Sequence, residues 1–109
     1  MNFNNFTIKS QEAIQHAFEV AQGKQNQAIE TGHILMGLFH EAENVTGFLL
    51  KKVGSNLVAI HQALEKIVDS YPKVSGGEPY LSSDSNKALQ KSIGFMQEMG
   101  DQFVSVEHI

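Results

Sequence analysis

Five histidines, at positions 16, 33, 40, 61 and 108, are the side chains best suited to hold a metal or move a proton near neutral pH. Their spacing argues against both. His33 and His40 share a helix face but stand too far apart to chelate one ion. His40-Glu41 opens like the His-Glu-x-x-His zinc-protease motif, yet Asn44 occupies the place of the second histidine. Glu41 and Glu43 are two residues apart and point to different helix faces, so they are no acid–base pair. Ser70-Tyr71-Pro72-Lys73 matches the penicillin-binding Ser-x-x-Lys pattern by letters only, because Pro72 forbids the helical turn that would bring Lys73 to Ser70. No Gly-x-x-x-x-Gly-Lys-Ser/Thr occurs, so the chain has no P-loop for ATP. A small stand-alone enzyme finds no constellation to work with. His33 and His108 are expected to hydrogen-bond locally near helix N-termini.

The two histidines carry a different signal. Gln27-Ala28-Ile29-Glu30-Thr31-Gly32-His33-Ile34 is echoed by Gln102-Phe103-Val104-Ser105-Val106-Glu107-His108-Ile109, a shift of 75 positions. The same shift sets Ser10 on Ser85, Ala13 on Ala88, Gln15 on Gln90 and Gln22 on Gln97, without a gap. Apolar meets apolar as well: Ile14 with Leu89, Phe18 with Ile93, Ala21 with Met96, Ile29 with Val104. Each copy reads as a helix, a polar turn, two buried residues, a cap and a second helix. The second copy stops at Ile109 as its second helix begins, and is expected to be truncated there.

Those copies must be positioned by helices. Thr7 or Ser10 caps a first helix over about 8–22, with an apolar stripe at Ala13, Ile14, Ala17, Phe18 and Ala21, ended by Gly23. Ala28 and Ile29 pin the chain to the core, and Thr31 caps a second helix over about 32–42. Asn44 caps a third, about 45–52, stopped by Gly54. Ser55 or Asn56 caps a fourth, about 57–69, with Leu57, Ile60, Leu64, Ile67 and Val68 as its face, closed by Tyr71-Pro72. Residues 72–81 hold both prolines and the Gly76-Gly77 pair and read as a linker. Ser82 or Ser83 caps a fifth helix, about 84–98, and Ser105 caps the start of a sixth. No stretch alternates with period two long enough for a strand. The fold class is all-α: one domain of two tandem pseudo-repeats, about 1–71 and from 82 onward.

Composition narrows the partners. A net charge of −4 with no basic patch makes nucleic acid an unsuitable partner. No apolar run reaches the roughly 18 residues of a membrane span, no membrane partner is expected, and the N-terminus lacks signal-peptide character. Without cysteine the chain fits a reducing compartment, and a cytoplasmic location is expected.

Phe6-Thr7, Thr31-Gly32-His33-Ile34-Leu35 and Val106-Glu107-His108-Ile109, set on two tandem units, resemble the N-terminal domain of Clp AAA+ unfoldases. The linker wording Pro72-Lys73-Val74-Ser75-Gly76 is closer to the ClpB disaggregase branch than to the protease-linked ClpA and ClpC branches. Gly32 departs from the Pro or Glu more usual in the family, which loosens the first turn of the second helix. The resemblance implies a non-enzymatic domain that binds unfolded or aggregated polypeptide for a homohexameric ATPase ring. ATP and magnesium belong to the parent's ATPase modules, and the parent works with the DnaK chaperone system. The alternative it leaves open is an adaptor-docking domain of a ClpA- or ClpC-type unfoldase. Family positions tied to substrate handling fall on Thr7, Asp101 and Glu107, and the groove between units draws on the face containing Phe95. Met96 and Met99 suit such a groove, since flexible thioethers adapt to clients of no fixed sequence. The competing reading puts Phe95, Met96 and Met99 in the core and makes Asp101 a turn residue.

Overall fold

Thr7 opens the first helix. Its hydroxyl oxygen accepts from the Ser10 backbone N–H at 3.1 Å, which satisfies one of the helix's orphan donors. The computed structural model, which describes residues 2–41 and 44–109, then runs α1 (Ile8–Gly23), β1 (Ala28–Ile29), α2 (Thr31–His40), α3 (Val45–Lys52), α4 (Leu57–Asp69), β2 (Tyr80–Leu81), α5 (Ser83–Glu98) and a closing 3-10 turn (Val106–His108). The fold is all-α in its class, with two departures from expectation at the seam. Ala28 lies opposite Tyr80 and Ile29 opposite Leu81 in a parallel pair, and Phe6 forms a parallel bridge with Val104. These strands are too short to show a period in sequence.

The same two contacts explain why the polar positions of the copies agree. Ser10 Oγ donates to the Val104 carbonyl at 2.9 Å, and Ser85 Oγ donates to the Ile29 carbonyl at 2.7 Å. The Thr7 N–H reaches Val104 O at 2.9 Å, and the Ser82 N–H reaches Ile29 O at 3.0 Å. Under the shift of 75 every donor and acceptor in the first bond of each pair maps onto the second. Each half therefore supplies the partner that the other half's first helix needs, the reciprocal exchange that a twofold axis produces. Ser10 and Ser85 are fully buried, so each hydroxyl must be bonded, and each is.

Around this seam Phe6, Ala13, Ile14, Ala17, Ala21, Ile29, Ile34, Leu38, Leu89, Met96, Val104 and Val106 form one core. Full burial of a side chain the size of Ile29 or Leu89 contributes about 2 kcal/mol. Met96 belongs to this core, as its counterpart Ala21 does, and does not line a surface groove. The face of α4 is narrower than its periodicity suggests: Leu64 and Val68 are buried while Ile67 is exposed. The linker is strapped at both ends, by Val74 N–H on Gln25 O at 2.8 Å and Tyr80 N–H on Gln27 O at 3.1 Å, with Gly76 and Gly77 at positive φ between them.

Two caps differ from the sequence expectation, at Thr31 and Gly23. Glu30, rather than Thr31, precedes α2, and its N–H donates to His33 Nδ1 at 2.9 Å. Ser105 caps as expected, but the element it opens is a 3-10 turn. Gly23 is the last residue of α1, and the left-handed turn that follows is taken by Gln25 at φ 61. In the second copy Gly100 takes that place at φ 73. A left-handed conformation costs a residue with a Cβ about 1–2 kcal/mol, part of which glycine returns through its greater freedom when unfolded. Gln25→Gly should therefore stabilise the protein by about 1 kcal/mol, raising the melting midpoint by about 5 °C in a thermal scan.

Candidate functional site

The chemistry-bearing side chains are mostly committed to structure. His33 is fully buried, accepts the Glu30 N–H at Nδ1 and contacts Asn26 Oδ1 through Nε2 at 2.9 Å. His108 repeats the arrangement: the Ser105 N–H on Nδ1 at 2.8 Å and Asp101 Oδ2 at Nε2, also 2.8 Å. In each ring Nδ1 accepts from a backbone N–H, so the proton sits on Nε2 and is given to the side chain seven residues earlier. Neither ring is free to act as a base. His16 and His40 stack face to face with centroids 3.7 Å apart, and His61 packs on Phe39 at 4.3 Å. Among the described residues no group of three or more His, Asp or Glu side chains converges on a metal position. Glu43 lies outside the described residues, and so does any pairing with Glu41.

Two of the expected site residues do converge. Thr7 and Glu107 line one pocket of about 350 Å³ with Ile8, Lys9, Val45, Ser105 and Val106. The first turn of α1 brings Thr7, Ile8 and Lys9; the closing 3-10 turn brings Val106 and Glu107; the start of α3 brings Val45. The pocket thus lies where the opening of the first copy meets the stretch of the second copy that corresponds to the start of α2. Ile8 is 74% exposed, an apolar side chain offered to solvent at the rim. The Thr7 hydroxyl is engaged, accepting from Ser10 N–H and donating to Ser10 Oγ at 3.0 Å. Glu107 is exposed, and Lys9 lines the same pocket, so the site carries one charge of each sign.

Phe95 and Asp101 lie elsewhere. Phe95 is 49% exposed on α5, with Met99, also exposed, one turn further along the same face. Neither lines the Thr7–Glu107 pocket. Asp101 sits in the turn after α5 with its carboxylate on His108. The sequence reading missed Ile8, Lys9 and Val45 as pocket walls. Ile8 carried a signal, an apolar residue at the first helical position and off the stripe of Ala13, Ile14 and Ala17.

This fold of two exchanged helical copies matches a known family: residues 5–109 agree with the Clp repeat (R) N-terminal domain, and the chain belongs to that family. Its relatives include Chaperone protein ClpB of Bacteroides thetaiotaomicron, 55% identical over 109 residues, and that of Porphyromonas gingivalis, 46% identical over 109 residues. Each alignment covers 100% of this chain and 13% of the relative, so the chain spans a small part of those proteins' length. In solved structures the fold matches the N-terminal domain (1-163) of the ClpV1 ATPase of E. coli with a TM-score of 0.88 and 20% identity, over 97% of this chain and 65% of that one. Along its whole length the chain is similar to part of these ClpB chaperones. No described helix is long and apolar enough to cross a membrane.

Proposed function

We propose that this domain recognises unfolded or aggregated polypeptide for a ClpB-type disaggregase. The observation that carries the reading is the Thr7–Glu107 pocket, where residues far apart in sequence meet beside Ile8, Val45 and Val106. An apolar wall with a polar and charged rim accepts an extended client segment without requiring one sequence. Phe95 and Met99 extend exposed apolar surface on α5 for further contacts. In this reading the client passes to ATPase modules of a longer, hexameric parent. Those modules hold ATP and magnesium and cooperate with the DnaK system in the cytoplasm.

Binding of fluorescently labelled α-casein to the 109-residue protein tests it. Glu107→Ala should weaken binding about tenfold, roughly 1.4 kcal/mol, with helical circular dichroism unchanged. Phe95→Ala should weaken it less and leave stability within about 0.5 kcal/mol, as for an exposed side chain. Unchanged affinity in Glu107→Ala would remove the pocket from the reading.

A further inference from the structure

We propose that Asp101 is a positioning residue: it fixes His108, and through His108 the turn that presents Glu107, by a hydrogen bond that does not depend on its charge. The inference rests on the proposed client-binding role of the pocket and assigns a mechanism to one residue near it. The chain of contacts is short. Asp101 Oδ2 accepts a hydrogen bond from His108 Nε2–H at 2.8 Å, and His108 Nδ1 accepts one from the Ser105 N–H at 2.8 Å. The His108 side chain is fully buried, so its ring has one place to sit and transmits the position of its partners. Between the two anchored ends lie Val106, buried in the core, and Glu107, exposed in the pocket. The turn is also held by the Ser105 side chain on the His108 backbone N–H and by the burial of Val106. Its remaining backbone bonds are His108 N–H on Ser105 O and Ile109 N–H on Val106 O.

The first copy is the internal control. Asn26 stands in the position of Asp101, His33 in that of His108 and Glu30 in that of Ser105. The two bonds there are 2.9 Å each, against 2.8 Å in the second copy. A neutral amide oxygen thus orients the same ring in the same protein as a carboxylate does. Asn26 has a further reason to be an amide, since its Nδ2 donates to the Pro72 carbonyl at 3.0 Å, a bond that no carboxylate could make. Asp101 accepts from His108 without any such donor role. What the fold asks of position 101 is an acceptor, which asparagine supplies equally. A residue that drew basic clients by its charge would make the opposite demand.

The experiment compares Asp101→Asn, Asp101→Ala and Glu107→Ala in the 109-residue protein. Two readouts are taken: labelled α-casein binding, and NMR of the histidine side-chain nitrogen and proton resonances together with the Glu107 backbone amide. Asp101→Asn should bind casein within about twofold of wild type and keep a slowly exchanging Nε2–H on His108. Asp101→Ala should bind about fivefold more weakly, lose that slow exchange and shift the Glu107 amide. Glu107→Ala should weaken binding with the His108 resonances unmoved. The proposal is overturned if Asp101→Asn binds as poorly as Asp101→Ala while its His108 proton stays protected, because charge would then be the active property. It is equally overturned if Asp101→Ala leaves the His108 and Glu107 resonances in place. If wild type fails to bind casein the client-binding reading falls, while the resonances still decide whether Asp101 positions the turn.

Discussion

Gly37→Ala should cost about 3 kcal/mol or more and lower the melting midpoint by more than about 10 °C. The reason is the closeness of α1 and α2, the most extensive helix pairing among the described residues. A Cβ at Gly37 would fall onto the Ala13 carbonyl oxygen, with the Ala13 carbonyl carbon at 3.0 Å and the Ala17 nitrogen at 3.3 Å. These are backbone atoms of α1 and cannot rotate aside. Relief requires the helices to part, and parting loosens Ala13, Ala17 and Ala21, whose small size lets α1 pack closely. Gly94 in α5 supplies the contrast, for nothing lies within 4 Å of a Cβ there. Gly94→Ala should gain a few tenths to about 1 kcal/mol from helix propensity alone. Two glycines of equal standing in the sequence thus have opposite expected signs. Equal effects in thermal or denaturant unfolding would mean that the α1–α2 contact is looser than described.

The duplication was readable because the packing leaves its polar members little choice. Ser10 and Ser85 agree since each must satisfy a buried carbonyl, and His33 and His108 since each must answer a backbone N–H in front of a turn. What one chain of letters could not show is that the serines cross over. The bonds Ser10–Val104 and Ser85–Ile29 span 94 and 56 residues, and a shift of register is the same whether copies pack side by side or exchange partners. The cap of α2 failed for a local reason. Thr31 outranks Glu30 as a cap by residue type, but His33 Nδ1 takes the Glu30 N–H and moves the start of α2 back one residue. Reading the copies against each other repairs two errors. Gly100 over Gln25 locates the left-handed residue, and Ala21 over Met96 puts that methionine in the core.

The pocket was half legible. Thr7 and Glu107 were marked by resemblance, and their meeting follows from the Phe6–Val104 bridge, which sets the start of α1 beside the closing turn. Ile8 and Val45 entered the pocket through tertiary packing, which no periodicity encodes. Asp101 and Phe95 share a region of sequence with Glu107 but not its pocket, because α5 carries Phe95 on an exposed face and His108 claims Asp101.

His33→Ala should destabilise the protein by roughly 3 kcal/mol at neutral pH, and the deficit should shrink on acidification. The first part follows from two orphaned groups. Removing the ring deprives the Glu30 N–H and the buried Asn26 carbonyl of their partners, at about 1–3 kcal/mol for each buried group left unsatisfied. It also empties space beside the Tyr71 ring, whose centroid lies 5.0 Å away. The second part follows from linkage. Burial pushes the His33 pKa below its ordinary 6.5; Glu30 opposes the shift and Lys24 adds to it. A base that is harder to protonate when folded leaves the unfolded chain holding more protons, so stability rises with pH across that interval. The contribution of neutral His33 is complete above about pH 6.5 and is lost as pH falls toward its depressed folded value. The geometry gives the same sign, since a proton on Nδ1 would face the Glu30 N–H and break the bond that starts α2. Urea titrations of wild type and His33→Ala from pH 7.5 downward measure the difference directly. The other histidines contribute to both curves, so the gap between the curves isolates His33. A gap that widens as pH falls would mean that the ring is held protonated in the folded state, and the bond from the Glu30 N–H to Nδ1 at the start of α2 would have to be abandoned.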